Sequence, residues 1–511
     1  MIDILKEFKN DLNAFFEETH KFYAKELTVA QYKGFSSGFG SYAQRGGEKS
    51  MLRLRLTGGE ISQSDLEFIA DSIEKYHINR VHLTTCQSVQ LHNLDEETVC
   101  SLIGEAFEHG IITRGGGGDY PRNVMASPLS GVQKGEAFDV MPYAKAAADF
   151  LLPFIHSVKL PRKLKVCFSN SAENVTHATF RDLGFMANED GTFDVYSAGG
   201  LGNNPKMGVC VAEHIKPEKI LYYIKAMIET FTAYGNYENR GRARTRYMQD
   251  TLGADGYKAA FNEKLAAVMA SEKLDLNMPL QAVEGAADSE ALTHPRVTAQ
   301  KQDGLYAVFY QPLGGNPEPK LFRTLSDTLK SMPKVVIRLT PNEGLYFINC
   351  TKEEALKLID LTNDGARTLF ETSVACVGTS ICQVGARDSQ ALLSACIEAV
   401  RKENFADGVL PKIRISGCPS SCAAHQAGAI AFRGGVKQTS DGPKPAFAMY
   451  VGGCEKKGSE AFGRDMGIIK ETDIPQMLVE IGRAVAAAGM DYEAWIKEYE
   501  SELEEIVKKY V

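Results

Sequence analysis

Apolar and polar positions change period in short blocks along the chain. From Met51, MLRLRLT alternates apolar and polar residues, the period of a strand with one buried face. SDLEFIADSIEKY follows, with Leu66, Ile69, Ile73 and Tyr76 at helical spacing and Ser64 as its candidate N-cap. Residues 81–85 and 89–94 read as two further strands. Asp95 then caps a helix whose apolar face is Val99, Leu102, Ile103 and Phe107. Strand, helix, strand, strand, helix is the order of a ferredoxin-like split βαβ unit. The same order returns later, with LYAVFYQ, a helix near residues 322–330, VVIRLT, LYFIN and a helix from Glu353.

The return is a repeat. Residues 81–103 superpose on 337–359 without a gap, and Leu83, Thr84, Asn93, Glu97, Leu102 and Ile103 are identical to their mates. LPRKLKVCFSNS (from Leu160) resembles LPKIRISGCPSS (from Leu410) with one deletion, and DVYSAGG (from Asp194) resembles AMYVGG (from Ala448). Three matches in one order imply two halves made by duplication. A polar stretch over residues 270–294 reads as the linker between them. The fold class expected is α+β or mixed α/β.

Composition narrows the function. Lysine plus arginine number 57 against 65 aspartates plus glutamates, a net charge of −8, so a nucleic-acid partner is not expected and any anion site is a local cluster of cations. The N-terminal segment is broken by charges, and nowhere do enough apolar residues run together to cross a bilayer. A cytoplasmic protein without a membrane partner is therefore expected. The 11 cysteines, an odd number, suit free or metal-bound thiolates better than a disulfide framework.

Four cysteines stand apart by spacing. Cys376 and Cys382 form a C-x5-C pair and Cys418 and Cys422 a GCPSSC pair, both among Gly, Ser and Pro, hence on loops. Zinc sites favour closer pairs, whereas an iron–sulfur cube takes four thiolates at wider spacing. Four buried free thiols are the plainer alternative. Cys396, within SQALLSACIEAV, lies on a helical apolar face and reads as core.

C-x5-C followed by GCPxxC in the second half of a duplicated chain resembles the sulfite/nitrite reductase haemoprotein family. LTTCQSVQL, YPRNVMASPLSG, LPRKLKV, NRGRARTRYMQD and IRLTPNEGL resemble the family's other segments and cover most of the chain. The resemblance implies sirohaem and a [4Fe-4S] cluster as cofactors. Cys376, Cys382, Cys418 and Cys422 would ligate the cluster, with Cys422 as the thiolate shared with the sirohaem iron. Arg122, Lys163 and Lys165 match the family's substrate-face cations. Lys163 and Lys165, two apart on an extended segment, would share a face. Gln87, Arg114, Arg244 and Ser420 would contact the sirohaem, Arg244 as a carboxylate binder. The four glycines at 115–118 offer a loop whose backbone can approach a cofactor closely, or only a turn. The implied organisation is a ferredoxin-like half-domain with an N-terminal helix (1–117), a sirohaem and substrate-anion domain (118–290), a second ferredoxin-like half-domain (291–365) and a cluster and sirohaem domain (366–511).

The activity implied is six-electron reduction of sulfite to sulfide, with nitrite to ammonia as the alternative. The Lys-x-Lys of LPRKLKV favours sulfite. Electrons are expected from an external ferredoxin or flavoprotein, since the chain shows neither an additional cysteine-rich ferredoxin run nor a dinucleotide fingerprint. A non-catalytic iron–sulfur carrier is the alternative from a different class. One position departs from the family: Cys86 stands where the LTTRQ segment has arginine. Cysteine removes a charge-assisted contact to the anion, worth about 1.5–3 kcal/mol. Either a neighbour such as His82, His92 or Arg53 supplies the charge, or the substrate or its mode of binding differs.

Overall fold

A computed structural model of the chain describes residues 2–278, 285 and 291–511. The linker expected over 270–294 lies partly outside these. The chain forms two compact units: Met1–Gly200, Pro205–Tyr310 and Pro317–Asn363 make the first, and Leu201–Asn204, Gln311–Asn316 and Asp364–Val511 the second.

The first unit contains both ferredoxin-like sheets. One runs, in spatial order, Ser41–Ala43, Ser50–Arg55, Ser88–Leu94 and Val81–Leu83. The other runs Val297–Ala299, Tyr306–Tyr310, Leu345–Cys350 and Val336–Leu339, with Glu60–Ile61 of the first half added at its edge. All these pairings are antiparallel. The helices Gln63–Lys75, Glu96–His109, Pro319–Leu329 and Lys352–Leu361 cover them, and one core joins both halves through Leu54, Leu83, Leu102, Val308, Leu339 and Leu358.

The repeat identities have physical causes. Asn93 and Asn349 both have left-handed backbones, with φ of 62° and 63°, a conformation that asparagine tolerates better than most residues. Leu83, Leu102 and their mates Leu339 and Leu358 are all buried in the shared core. One expectation fails by two residues. The N-cap of Gln63–Lys75 is Ser62, not Ser64. The Ser62 hydroxyl accepts from the Asp65 N–H at 3.0 Å, and the Asp65 carboxylate accepts from the Ser62 N–H at 3.2 Å. That reciprocal pair satisfies two otherwise orphaned donors, although Ser64 with Glu67 three residues on offers the same spacing in sequence.

The remaining sheet of the first unit has three parallel strands, Met125–Ala126, Val166–Ser169 and Leu183–Ala187, followed by antiparallel Phe193–Ser197 and Val209–Ile215. The second unit repeats the pattern: Val374–Ala375, Ile413–Ser416 and Ile430–Thr439 are parallel, then Gly442–Val451 and Arg464–Lys470 antiparallel. The duplication therefore extends to whole sheets. Among the described residues no helix is long and apolar enough to cross a membrane.

Candidate functional site

In the first unit the site is built on a turn. Thr84 N–H donates to the Ser88 carbonyl at 3.0 Å, and the Thr84 hydroxyl accepts from the N–H groups of Cys86 and Ser88. The duplicated turn is identical: Thr340 N–H donates to Gly344 O at 2.8 Å, and its hydroxyl accepts from Asn342 and Gly344. Gln87 and its mate Glu343 both adopt positive φ, 53° and 67°, and both are buried. The identical threonines are thus turn formers, and Cys86 in one half and Asn342 in the other take the same place in the turn, both partly exposed.

Gln87 has a role other than the one expected. Its amide nitrogen donates to the carbonyls of Ala126 (2.8 Å) and Leu339 (2.7 Å), with a third contact to Gly58 (3.1 Å), while its oxygen accepts from Ala126 N–H at 3.0 Å. With 0% exposure it is a clamp joining both ferredoxin-like halves, and both of its amide donors are taken up by backbone carbonyls. Asn123 holds the turn from the other side, donating to the carbonyls of Leu56, Cys86 and Gln87 at 2.8–3.0 Å. Gln87→Leu is expected to cost about 2–4 kcal/mol, because it strands several buried backbone groups at once. A lowered urea midpoint at unchanged slope measures this, and an unchanged midpoint would show that the clamp is dispensable.

The cations gather around this turn. Arg122 N–H donates to Leu164 O at 2.8 Å, next to a parallel bridge between Pro121 and Leu164, so the YPRN and LPRKLKV segments run side by side. Leu164 is fully buried, and Lys163 and Lys165 flank it, both partly exposed. Arg122 donates to the Gly116 carbonyl, and burial lowers its pKa to about 10. The Lys165 ammonium lies 3.2 Å from the Cys86 sulfur. Burial also lowers the Lys165 pKa, an effect opposed by Cys86 and reinforced by Arg181, Arg244 and Arg122. Burial alone would push the Cys86 thiol up, but the charges of Lys165 and Arg181 outweigh it and bring the thiol down to about 6.

Of the neighbours considered as replacements for the missing arginine, His92 does not supply its charge. Burial, with His82 and two arginines nearby, keeps His92 neutral, well below its usual pKa. His82 faces Glu343 at 3.7 Å, and Arg53 donates to the Gly116 carbonyl. The extra cation is Arg181, which the sequence reading missed; its only signal was an Arg-Asp pair just before the strand Leu183–Ala187. Asp182 was missed too. Fully buried, it accepts from Arg244 (3.1 Å), the Lys165 N–H (2.9 Å) and the Thr245 hydroxyl.

Two further residues expected to contact the macrocycle, Arg114 and Arg244, have partners within the fold. Arg114 is tied to Asp11 (2.8 Å) and the Gly38 carbonyl (2.9 Å) and lies over the Phe39 ring, so its charge has a partner inside the fold. Arg244 pairs with Asp182, although its Nε is buried without a partner. The glycine loop serves the protein's own packing: a Cβ on Gly117 would strike the Ser37 carbonyl and the Tyr42 hydroxyl.

In the second unit, Cys376 directly follows Val374–Ala375 and Cys418 lies just beyond Ile413–Ser416, at the carboxyl ends of two adjacent parallel strands. The loops are pinned together. Cys376 N–H donates to Ile415 O at 3.2 Å, Gly417 N–H donates to the Cys376 sulfur at 3.2 Å, and Ala386 and Arg387 N–H both donate to Gly417 O at 2.9 Å. Cys376, Cys382 and Cys418 are partly exposed and Cys422 is exposed, as is Ser420; none is in a disulfide. Among the described residues no three Cys, His, Asp or Glu side chains converge closely enough for a single metal ion. Four loop thiols outside any disulfide suit a cube, whose ligands bind separate irons. Cys396 is fully buried on Ser389–Arg401, as expected of a core thiol.

The sequence family described as nitrite and sulphite reductase 4Fe-4S domain matches residues 117–269, and that described as nitrite/sulfite reductase ferredoxin-like half domain matches 42–106. The chloroplastic ferredoxin–nitrite reductase of Betula pendula is 25% identical over 431 residues, covering 79% of this chain and 71% of its own. The ferredoxin-dependent sulfite reductase of Mycobacterium tuberculosis H37Rv is 25% identical over 424 residues, covering 79% and 73%. The solved structure of the M. tuberculosis NirA protein shares the fold, with a TM-score of 0.77 at 22% identity over 98% of this chain and 97% of that one.

Proposed function

The chain belongs to the sirohaem- and [4Fe-4S]-dependent sulfite/nitrite reductase family, and from that premise we propose that it reduces sulfite to sulfide with electrons from a ferredoxin. The observation that carries this reading is the side-by-side packing of YPRN and LPRKLKV, which sets Arg122 beside Lys163 and Lys165. Three cations on two paired segments offer more charge than the monoanion nitrite needs, and they suit an anion that carries up to two. Nitrite reduction on the same scaffold is the second reading, favoured by Cys86, whose thiolate takes up part of the Lys165 charge.

Cys376, Cys382, Cys418 and Cys422 hold the cluster in this proposal, with Cys422 as the shared thiolate. Ser420, exposed between them, and Arg244 remain the macrocycle contacts proposed. When bound, the cofactor pair supplies the electrons singly and an iron site for the anion. The chain's own residues supply charge and protons. Arg122 and Lys163 hold the anion's oxygens. Lys165, whose burial weakens its hold on a proton, donates from Nζ as each oxygen leaves as water. The segments that do this are proposed to be 118–290 for anion and sirohaem and 366–511 for the cluster, carried by ferredoxin-like halves over 1–117 and 291–365.

Steady-state turnover of the anaerobic holoenzyme with reduced ferredoxin separates the readings. A higher kcat/KM for sulfite than for nitrite is the result expected; the reverse order replaces the first reading by the second. Lys165→Met is expected to lower kcat about a hundredfold, the scale of a lost proton donor, while leaving the visible spectrum intact. A variant with full kcat would remove Lys165 from proton delivery.

A further inference from the structure

The Cys86 thiol sits at the tip of a turn clamped by Gln87 and Asn123, so its position is fixed rather than mobile. It is partly exposed, and three cations act on it: Lys165 at 3.2 Å, Arg181, and Arg122, whose Nε is buried without a hydrogen-bond partner. Arg181 is itself held by its Nε on the Thr176 carbonyl (2.9 Å) and by its contact with His177 (3.3 Å). Elsewhere in this unit burial does the opposite: it pushes the Cys167 thiol up to about 11. Anion binding alone gives no reason for an anionic thiolate among these cations. A nucleophile that must meet an anionic electrophile does, because the cations neutralise both.

We propose that Cys86 is a sulfur-transfer nucleophile that takes the outer sulfur of thiosulfate, or of a chemically similar sulfane-sulfur anion, and releases sulfite among Arg122, Lys163 and Lys165. The proposal rests on the reading of those cations as the sulfite site. The step balances without an oxidant or reductant. The Cys86 sulfur forms a bond to the outer sulfur of thiosulfate as that sulfur's bond to the sulfonate breaks, and the bonding pair leaves with sulfite. The persulfide on Cys86 then passes its terminal sulfur to a thiophilic acceptor and returns to the thiolate. With cyanide as acceptor the product is thiocyanate. Sulfite made in this way would already lie at the cations that hold the reductase substrate.

The test uses the oxidised holoenzyme with thiosulfate and cyanide and no electron donor, so that reduction at the cofactors is silent. The expected results are thiocyanate formation and, before cyanide is added, one extra sulfur atom on the tryptic peptide that contains Cys86. Cys86→Ser should abolish both. Lys165→Met should slow thiocyanate formation about tenfold at neutral pH, by raising the thiol pKa and depleting the thiolate. No added sulfur on Cys86, or thiocyanate formation that survives Cys86→Ser, overturns the proposal. If the same preparation still turns over sulfite with reduced ferredoxin, the reductase reading stands when the proposal falls. Sulfur transfer without sulfite turnover would uphold Cys86 and remove the sulfite reading instead.

Discussion

Cys418→Ser is expected to abolish the iron–sulfur absorption and to lower turnover by at least about a thousandfold, equivalent to about 4 kcal/mol of transition-state free energy. The loop geometry explains the severity. Cys376 and Cys418 leave neighbouring parallel strands, and backbone hydrogen bonds from Cys376, Ala386, Arg387 and Gly417 tie the two loops together. Each thiol is therefore held in place by a fixed backbone, and no spare cysteine adjoins it in sequence to take over. Serine presents a harder oxygen that stays protonated near neutrality and is a poor ligand for iron in a sulfide cube. Cys396→Ser is the matched control. That thiol is fully buried on a helix and held up in pKa by burial, so its loss is expected to reduce stability and leave the absorption unchanged. Iron content and the visible spectrum of the two variants decide it. Retained absorption in Cys418→Ser, or its loss only in Cys396→Ser, would reassign the ligands.

Where the sequence was legible, one face of an element was buried and the other wet. The ferredoxin-like strands and helices could be read from period alone, because Leu66, Ile69 and Ile73 or Val99, Leu102 and Ile103 each define one stripe. The central parallel strands were harder. Val166–Ser169 and Leu183–Ala187 are buried along their whole length, so they carry no alternation to read. The loop placement of Cys376, Cys382, Cys418 and Cys422 was legible because spacing among Gly, Ser and Pro is a local property. The surroundings of the cations were not. Nothing local distinguishes Arg114, neutralised by Asp11 from the N-terminal helix, from an arginine left free for a ligand. Gln87 read as a ligand contact because it lies in the segment that resembles the family's, yet its amide points into the protein. The motif thus marked the turn correctly, and the structure alone shows which side of the turn each residue serves.

Asp182 had no sequence signal, yet its removal is expected to be the most destabilising single change near the cations. The carboxylate is fully buried, and the side chain of Arg244, which pairs with it, is only 17% exposed. Asp182 also accepts from the Lys165 N–H and the Thr245 hydroxyl, so it fixes the backbone that carries Lys165 as well as the arginine. In Asp182→Ala, Arg244 is left without its counterion beside Arg246 and Lys165, both of which it already repels. Breaking a buried ion pair by removing one partner costs about 3–5 kcal/mol, far more than the pair contributes when intact. Asp182→Asn should fall between the variant and the native protein, because an amide oxygen can still accept while its nitrogen faces donors. Removing the charge from both partners, as in Asp182→Asn with Arg244→Met, should recover part of the loss, since no buried charge is then left unpaired. Urea denaturation of the single and double variants measures this coupling. Additive losses, or an Asp182→Ala variant as stable as the native protein, would mean that the cations are held apart by the surrounding backbone and that their shared carboxylate is incidental.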